Sequence, residues 1–200
     1  MRIKYLVLLL VVIGFAATGW YFLSRGFSAR NQPSLAETFI ARRLRHLAIP
    51  RLAREAGNVV PASPEVLSEG MAHFADHCAF CHANDGSGNT DIGRGLYPKP
   101  PDMRQSETQS LSDGELYYII HNGVRFTGMP AFGEETSNGQ DADSWKLVYF
   151  VRHLPMITAQ ELEEMKKMNP KSPAELEEED EIRRFLQGED QPAGDTHRHH

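Results

Sequence analysis

Both cysteines of this 200-residue chain lie three positions apart, and a histidine follows the second directly: Cys78-Ala79-Phe80-Cys81-His82. With no other thiol in the chain, a disulfide framework is excluded. So is a four-thiolate zinc site or an iron–sulfur cluster built by one chain. Whatever the two sulfurs do, they do as a pair, and the fold has to present them and His82 at one place. The length allows one domain with attachments and not two large domains.

C-x-x-C-H is the attachment signature of c-type haem. Two thiols three positions apart at a helix end can reach the two vinyl groups on one porphyrin edge. The imidazole that follows projects beneath the ring, where it can bind iron as the proximal ligand. A thioredoxin-like redox pair would need a βαβ pattern, and half of a zinc site would need a second C-x-x-C; neither is present. One covalent haem c is therefore the expected cofactor, with Cys78 and Cys81 as thioether donors and His82 as proximal ligand.

A sixth ligand can come from Met103, His121, Met129, His153 or Met156. Met129 stands out. It lies in the glycine-bracketed loop 122–133, where Gly128 permits close backbone approach and Pro130 fixes the chain just after the methionine. A thioether is a soft ligand that raises the reduction potential of haem iron. Met103 reads as a haem-packing residue, His121 as a helix-end residue, and His153 and Met156 as structural. His73 and His77 precede the motif on its own helix and cannot reach the opposite haem face. No catalytic residue is expected.

The run from Tyr5 to Leu23 holds nineteen residues without a charge. As a helix it spans about 28 Å, close to the hydrocarbon thickness of a bilayer. Apolar character continues through Trp20-Tyr21-Phe22-Leu23, past the small residues that could offer a cleavage site. This favours a retained anchor over a cleaved signal. Residues 1–24 are therefore read as a transmembrane anchor and 25–62 as a basic connector. Within the connector, Leu35, Phe39, Leu44 and Leu47 recur at near-helical spacing with arginines between them, and Ser34 and Glu37 form a capping box. Two readings of this helix stand: a surface helix packed on the domain, or a basic amphipathic helix lying on the membrane.

From residue 63 onward the helix caps become regular. Ser63 opens a helix to about His77, Ser112 with Glu115 one to about His121, and Asp143 or Ser144 one that Pro155 stops. Thr158 with Glu161 and Ser172 with Glu175 open two more, the last ended by Gly188. No segment alternates as a strand, so the expected fold is all-α with long loops. The haem domain is expected over 63–157. Residues 158–200, with twelve Asp/Glu against six Lys/Arg, read as a solvated acidic tail of helical or disordered character.

Taken together, the helix entering Cys78–His82, the loop ending in Pro100-Pro101-Asp102-Met103, the helix after Ser112, the Thr127-Gly128-Met129-Pro130 loop and the final helix through Trp145 resemble the class I cytochrome c family. The resemblance covers about 63–154. It implies an all-α fold around one covalent haem, with His82 proximal and Met129 distal. It also implies a crossing of the first and last helices that buries Phe74 and the Trp145/Tyr149 face. In that family the proximal histidine's second ring nitrogen donates to a proline carbonyl. The nearest equivalents here are Pro98 and Pro100, with Pro98 the assignment made. Arg94, Lys99, Arg104 or Trp145 could hold the haem propionates. Haem attachment outside the bacterial inner membrane implies a cytoplasmic N-terminus and a periplasmic haem domain.

Charge completes the reading. Residues 1–60 hold nine Lys/Arg and two Asp/Glu, whereas 61–200 hold twelve and twenty-five. The acidic part excludes a nucleic-acid surface, and the basic part, beside the apolar run, points to lipid headgroups. A one-electron carrier with a His/Met haem has no open position for a small-molecule substrate. Its expected partners are redox proteins with basic docking patches, met by a domain swinging on its connector. Two alternatives are a fixed cytochrome subunit of a larger respiratory oxidoreductase and a haem sensor or enzyme with a labile sixth ligand. His197, His199 and His200 could bind Cu(II), Ni(II) or Zn(II), or be a solvated end.

Overall fold

The computed structural model describes residues 2–26, 28–133 and 141–187. It is helical, with no strand among the described residues. The long helix α1, Arg2–Arg25, leads to α2 (Leu35–Ala48) and the short α3 (Arg51–Arg54). Six helices build the domain: α4 (Pro64–His73), α5 (Ala79–His82), α6 (Asp91–Gly95), α7 (Ser106–Gln109), α8 (Asp113–Asn122) and α9 (Ala142–His153). Two more follow, α10 (Ala159–Met168) and α11 (Pro173–Gln187). Within α1, Ile3–Ser24 is long and apolar enough to cross a membrane, and none of it is buried by the rest of the protein.

The caps read from the sequence are used. The Ser63 hydroxyl accepts from Val66 N, and reciprocal capping boxes form at Ser34/Glu37, Ser112/Glu115 and Thr158/Glu161. Helix α9 begins slightly earlier than expected. Asp141 is its N-cap, accepting from the backbone N–H groups of Asp143 and Ser144. Gly188, expected to end α11, lies outside the described residues, as do His197, His199 and His200.

The core forms where α4 crosses α9. Phe74 and Phe150 meet there with ring centroids 5.0 Å apart, joined by Leu147, Val148 and Leu154, all buried. Trp145 is buried as expected and stacks on Tyr117 at 4.2 Å. Tyr149 sits at the edge instead, half-buried, its hydroxyl donating to Val60 O at 2.8 Å. The connector thus reaches into the domain. Ile49 is buried, Asn58 Nδ2 donates to Trp145 O at 2.9 Å, and Ser112 Oγ donates to Arg54 O at 2.7 Å.

The folded body also extends past residue 157, further than the charge pattern suggests. Helix α10 inserts Met165, 0% exposed, into the same core, and His153 Nε2 lies 2.8 Å from Glu161 Oε1. A single well-placed apolar residue anchors a helix that is otherwise charged. Helix α11 alone matches the expected solvated tail, exposed along its whole length.

Candidate haem site

The Cys78–His82 segment is positioned by a change of helical pitch. After α4 the chain winds one π-turn, Phe74–Cys78, before α5 resumes the α-helical rise, so Ala79 N donates to Phe74 O. Single π-turns inside α-helices recur at functional sites. Here the turn keeps Phe74 and Ala75 in the core while Cys78 remains half-buried at the core's edge and Cys81 nearer the surface. Helix α5 stops at Ala83, whose φ of +61° breaks the helical path. The loop that follows satisfies the carbonyls at the end of α5: Gly88 N donates to His82 O at 2.7 Å and Thr90 Oγ1 to Cys81 O at 3.3 Å.

Cys78 and Cys81 form no disulfide with each other. Burial, with Cys81 adding to it, pushes the Cys78 thiol up to about 12, and burial also raises Cys81. A reactive redox C-x-x-C needs the opposite, a lowered thiol pKa. His82 is 8% exposed, and burial lowers its pKa to about 4, so it is a neutral imidazole at physiological pH. Its Nδ1 is buried without a hydrogen-bond partner. A buried neutral imidazole whose Nδ1 meets no protein partner, beside two cysteines that form no disulfide, fits covalent haem.

Pro98, which follows a cis peptide, is exposed and accepts nothing from His82. Pro100 O lies against Gly88 in the loop after His82, where a Cβ would sit 2.7 Å from it. The His82 Nδ1 bonds to neither proline.

Met129 is half-buried and packs against the core, as do Cys78 and Met103. Its loop is internally braced. Val124 N donates to Met129 O at 3.1 Å, Met129 N to Thr127 Oγ1 at 3.1 Å, and Thr127 Oγ1 to Val124 O at 2.7 Å. Gly123, at φ +65°, leaves room for the Pro130 backbone, which a Cβ would meet at 2.5 Å. Gly128 abuts the Leu96 side chain. Met103, another sixth-ligand candidate, shares the half-buried setting of Met129. His121 Nδ1 lies 3.2 Å from Asp141 Oδ2 while its ring stacks on Tyr117, His153 meets Glu161, and Met156 is exposed. His73 and His77 form an edge-to-face ring pair on the α4 side.

The propionate candidates are also occupied in part. Arg104 is bound by Asp102 and Asp85, Arg94 by Asn89 and Asp91, and Lys99 donates to the carbonyls of Ala29 and Arg94. Ala83, Gly88 and Thr90, which shape the turn after His82, were not singled out from the sequence. The clustered glycines at 86 and 88 were their available signal.

Residues 65–151 match the family model described as cytochrome c oxidase, cbb3-type, subunit III. The chain carries a class I c-type cytochrome domain. The match begins within α4 and ends within α9, so it takes in the C-x-x-C-H turn and the Met129 loop alike. Such a domain holds haem c covalently, and the chain is accordingly a haem c electron-transfer protein. No curated protein matches the chain.

Proposed function

We propose that this chain is a membrane-anchored, single-haem electron carrier of the bacterial periplasm, with His82 and Met129 as axial ligands. The observation that carries the reading is the buried, neutral His82 with an unpartnered ring nitrogen, on the turn that presents Cys78 and Cys81. When bound, haem supplies a one-electron ferric/ferrous couple. The residues of the chain do the rest. Cys78 and Cys81 hold the group by two thioethers. His82 offers a lone pair that burial keeps free of a proton. Met129, on a braced loop, offers a soft sulfur whose position the Thr127 and Val124 bonds restrain. With His82 and Met129 both held by the fold, haem bound through them would offer no open position for a substrate.

Hydropathy supports the anchor, which helix α1 provides. A cytoplasmic N-terminus follows from haem attachment outside the inner membrane and not from charge, since Arg2 and Lys4 before the apolar run are matched by Arg25 and Arg30 after it. Residues 61–157 hold thirteen Asp/Glu against six Lys/Arg, which favours a redox partner with a basic patch and an association weakened by salt. A second reading is a fixed subunit of a respiratory oxidoreductase. The description of the matching family favours it, and stable copurification after mild detergent extraction would support it.

Absorption spectra of wild type and Met129→Ala, matured with haem, test the ligation. The wild type is expected to show a low-spin ferric spectrum with the weak long-wavelength methionine band and no response to carbon monoxide. The variant is expected to lose the band and bind the gas. Carbon monoxide binding by the wild type overturns the proposal and gives the sensor or enzyme reading the lead.

A further inference from the structure

Helix α2 is mounted on the domain with its apolar side outward. Thr38, Arg42 and Arg45 recur at i, i+4 and i+7 and form one stripe. Thr38 and Arg45 are half-buried, and Arg42 NH1 donates to Glu107 Oε1 at 2.8 Å. The attachment continues with Tyr97 Oη donating to Glu37 at 2.9 Å and His46 Nδ1 lying 2.8 Å from Glu115. Two residues further round, on the opposite side, Ile40, Leu44 and Leu47 recur at the same spacing and are 55%, 61% and 73% exposed. Phe39, Leu35 and Leu52 extend the exposed apolar surface. A helix packed on a water-soluble domain turns such a stripe inward. This one turns it away while holding the domain by polar contacts.

The chain itself brings a covering surface close. Residues 26–34 are the only link between α1 and α2, and nine residues extend at most about 32 Å. Helix α2 therefore begins within that distance of whatever α1 enters. Residues 25–60 carry seven Lys/Arg against two Asp/Glu, while 61–200 are strongly acidic. Arg43 lies over the Phe39 ring, 5.4 Å from its centroid, beside the apolar stripe. Basic side chains flanking an apolar helix face suit a headgroup boundary containing anionic lipid.

We propose that α2 lies in the interface of the bilayer that α1 spans, with Ile40, Leu44 and Leu47 in the headgroup–acyl boundary. The haem domain is then seated on the membrane in one orientation and does not swing on a loose tether. This rests on α1 being a retained anchor and is independent of the haem ligation.

The test uses the full, haem-loaded chain, reduced, in nanodiscs of phosphatidylcholine and phosphatidylglycerol at one copy per disc. With Cys78 and Cys81 in thioethers, an introduced cysteine is the sole free thiol for a nitroxide label. Leu44→Cys and Leu47→Cys are compared with Glu177→Cys on α11 and with Val12→Cys in α1. The oxygen-to-nickel-chelate accessibility ratio is expected to be several-fold higher at 44 and 47 than at 177. A ratio equal to that at 177 means the stripe faces water and overturns the proposal. Exclusion of both reagents means that protein covers the stripe, and this also overturns it. The label at 12 reports the anchor separately. If 12 is lipid-exposed and 44 and 47 are not, the seat fails while the anchor stands.

Discussion

Gly70 is the tightest point of the crossing between α4 and α9, and replacing it with alanine probes the packing that sets the domain. A Cβ at this position would lie 2.4 Å from Lys146 O and 3.3 Å from Phe150 Cβ. The near obstacle is a carbonyl within α9, so it cannot rotate aside as a side chain would. The helices must separate, loosening the Phe74–Phe150 contact at the centre of the core. Overpacking of this kind costs about 1–3 kcal/mol, and the backbone clash places it at the upper end. Alanine's better helix propensity returns about 1 kcal/mol. The net loss is about 1–2 kcal/mol, and each kcal/mol lowers Tm by about 4–8 °C in a domain of this size. Thermal melts of the haem-loaded chain in detergent, followed by circular dichroism, measure it. Gly57→Ala is the control, because a Cβ there meets nothing within 4 Å. It should be neutral or stabilising by up to about 1 kcal/mol. A Gly70→Ala protein as stable as wild type would refute the close-approach reasoning.

Met165→Ala should cost about 2–5 kcal/mol in a denaturant titration, because the side chain is fully buried. Phe185→Ala on exposed α11 should stay within about 0.5 kcal/mol. Hydrogen bonds from Arg104 hold the Asp102 carboxyl down to about 2. A lowered folded pKa stabilises above the unfolded value and is lost on acidification, so the stability gap between wild type and Asp102→Asn should close from about pH 5 to about pH 2. Ala83 occupies φ +61°, ψ 157°, a region that essentially only glycine adopts without strain. Ala83→Gly should therefore raise the unfolding free energy, by up to about 1 kcal/mol after the added chain entropy is counted.

Those parts of the molecule governed by local rules were legible before any coordinates. The caps at Ser34, Ser63, Ser112 and Thr158 were visible because side chain and partner lie three residues apart. The C-x-x-C-H turn was visible because its spacing is its chemistry. What escaped depends on distant partners or on pitch. The π-turn at Phe74–Cys78 leaves no mark in periodicity over five residues. Helix α10 docks through Met165, one apolar residue diluted among charges. The closure of the 84–103 loop, with Met103 N donating to Gly86 O at 2.8 Å, joins residues seventeen apart, and spacing does not encode that.

Helix α8 is where the connector and the methionine loop meet. At its N-terminus, Glu115 is buried. Burial alone would raise its carboxyl, but the Ser112 backbone N–H and His46 outweigh that and hold it below the usual carboxylate range. Arg54 NH1 lies 3.0 Å from the other nitrogen of His46, so α2 and α3 are both tied to this one carboxylate. Close packing reinforces the tie, since Gly114 abuts Ala53 O too closely to admit a Cβ. At the other end of α8, Ile120 O accepts from Phe132 N at 3.2 Å and His121 O from Gly133 N at 3.0 Å, fixing the C-terminal side of the Met129 loop. One ten-residue helix thus takes the connector at its first turn and the Met129 loop at its last. A domain seated through α2 would therefore hold its Met129 loop at a set position relative to the bilayer. Were its redox partners also in the membrane, a fixed presentation would replace a search over orientations.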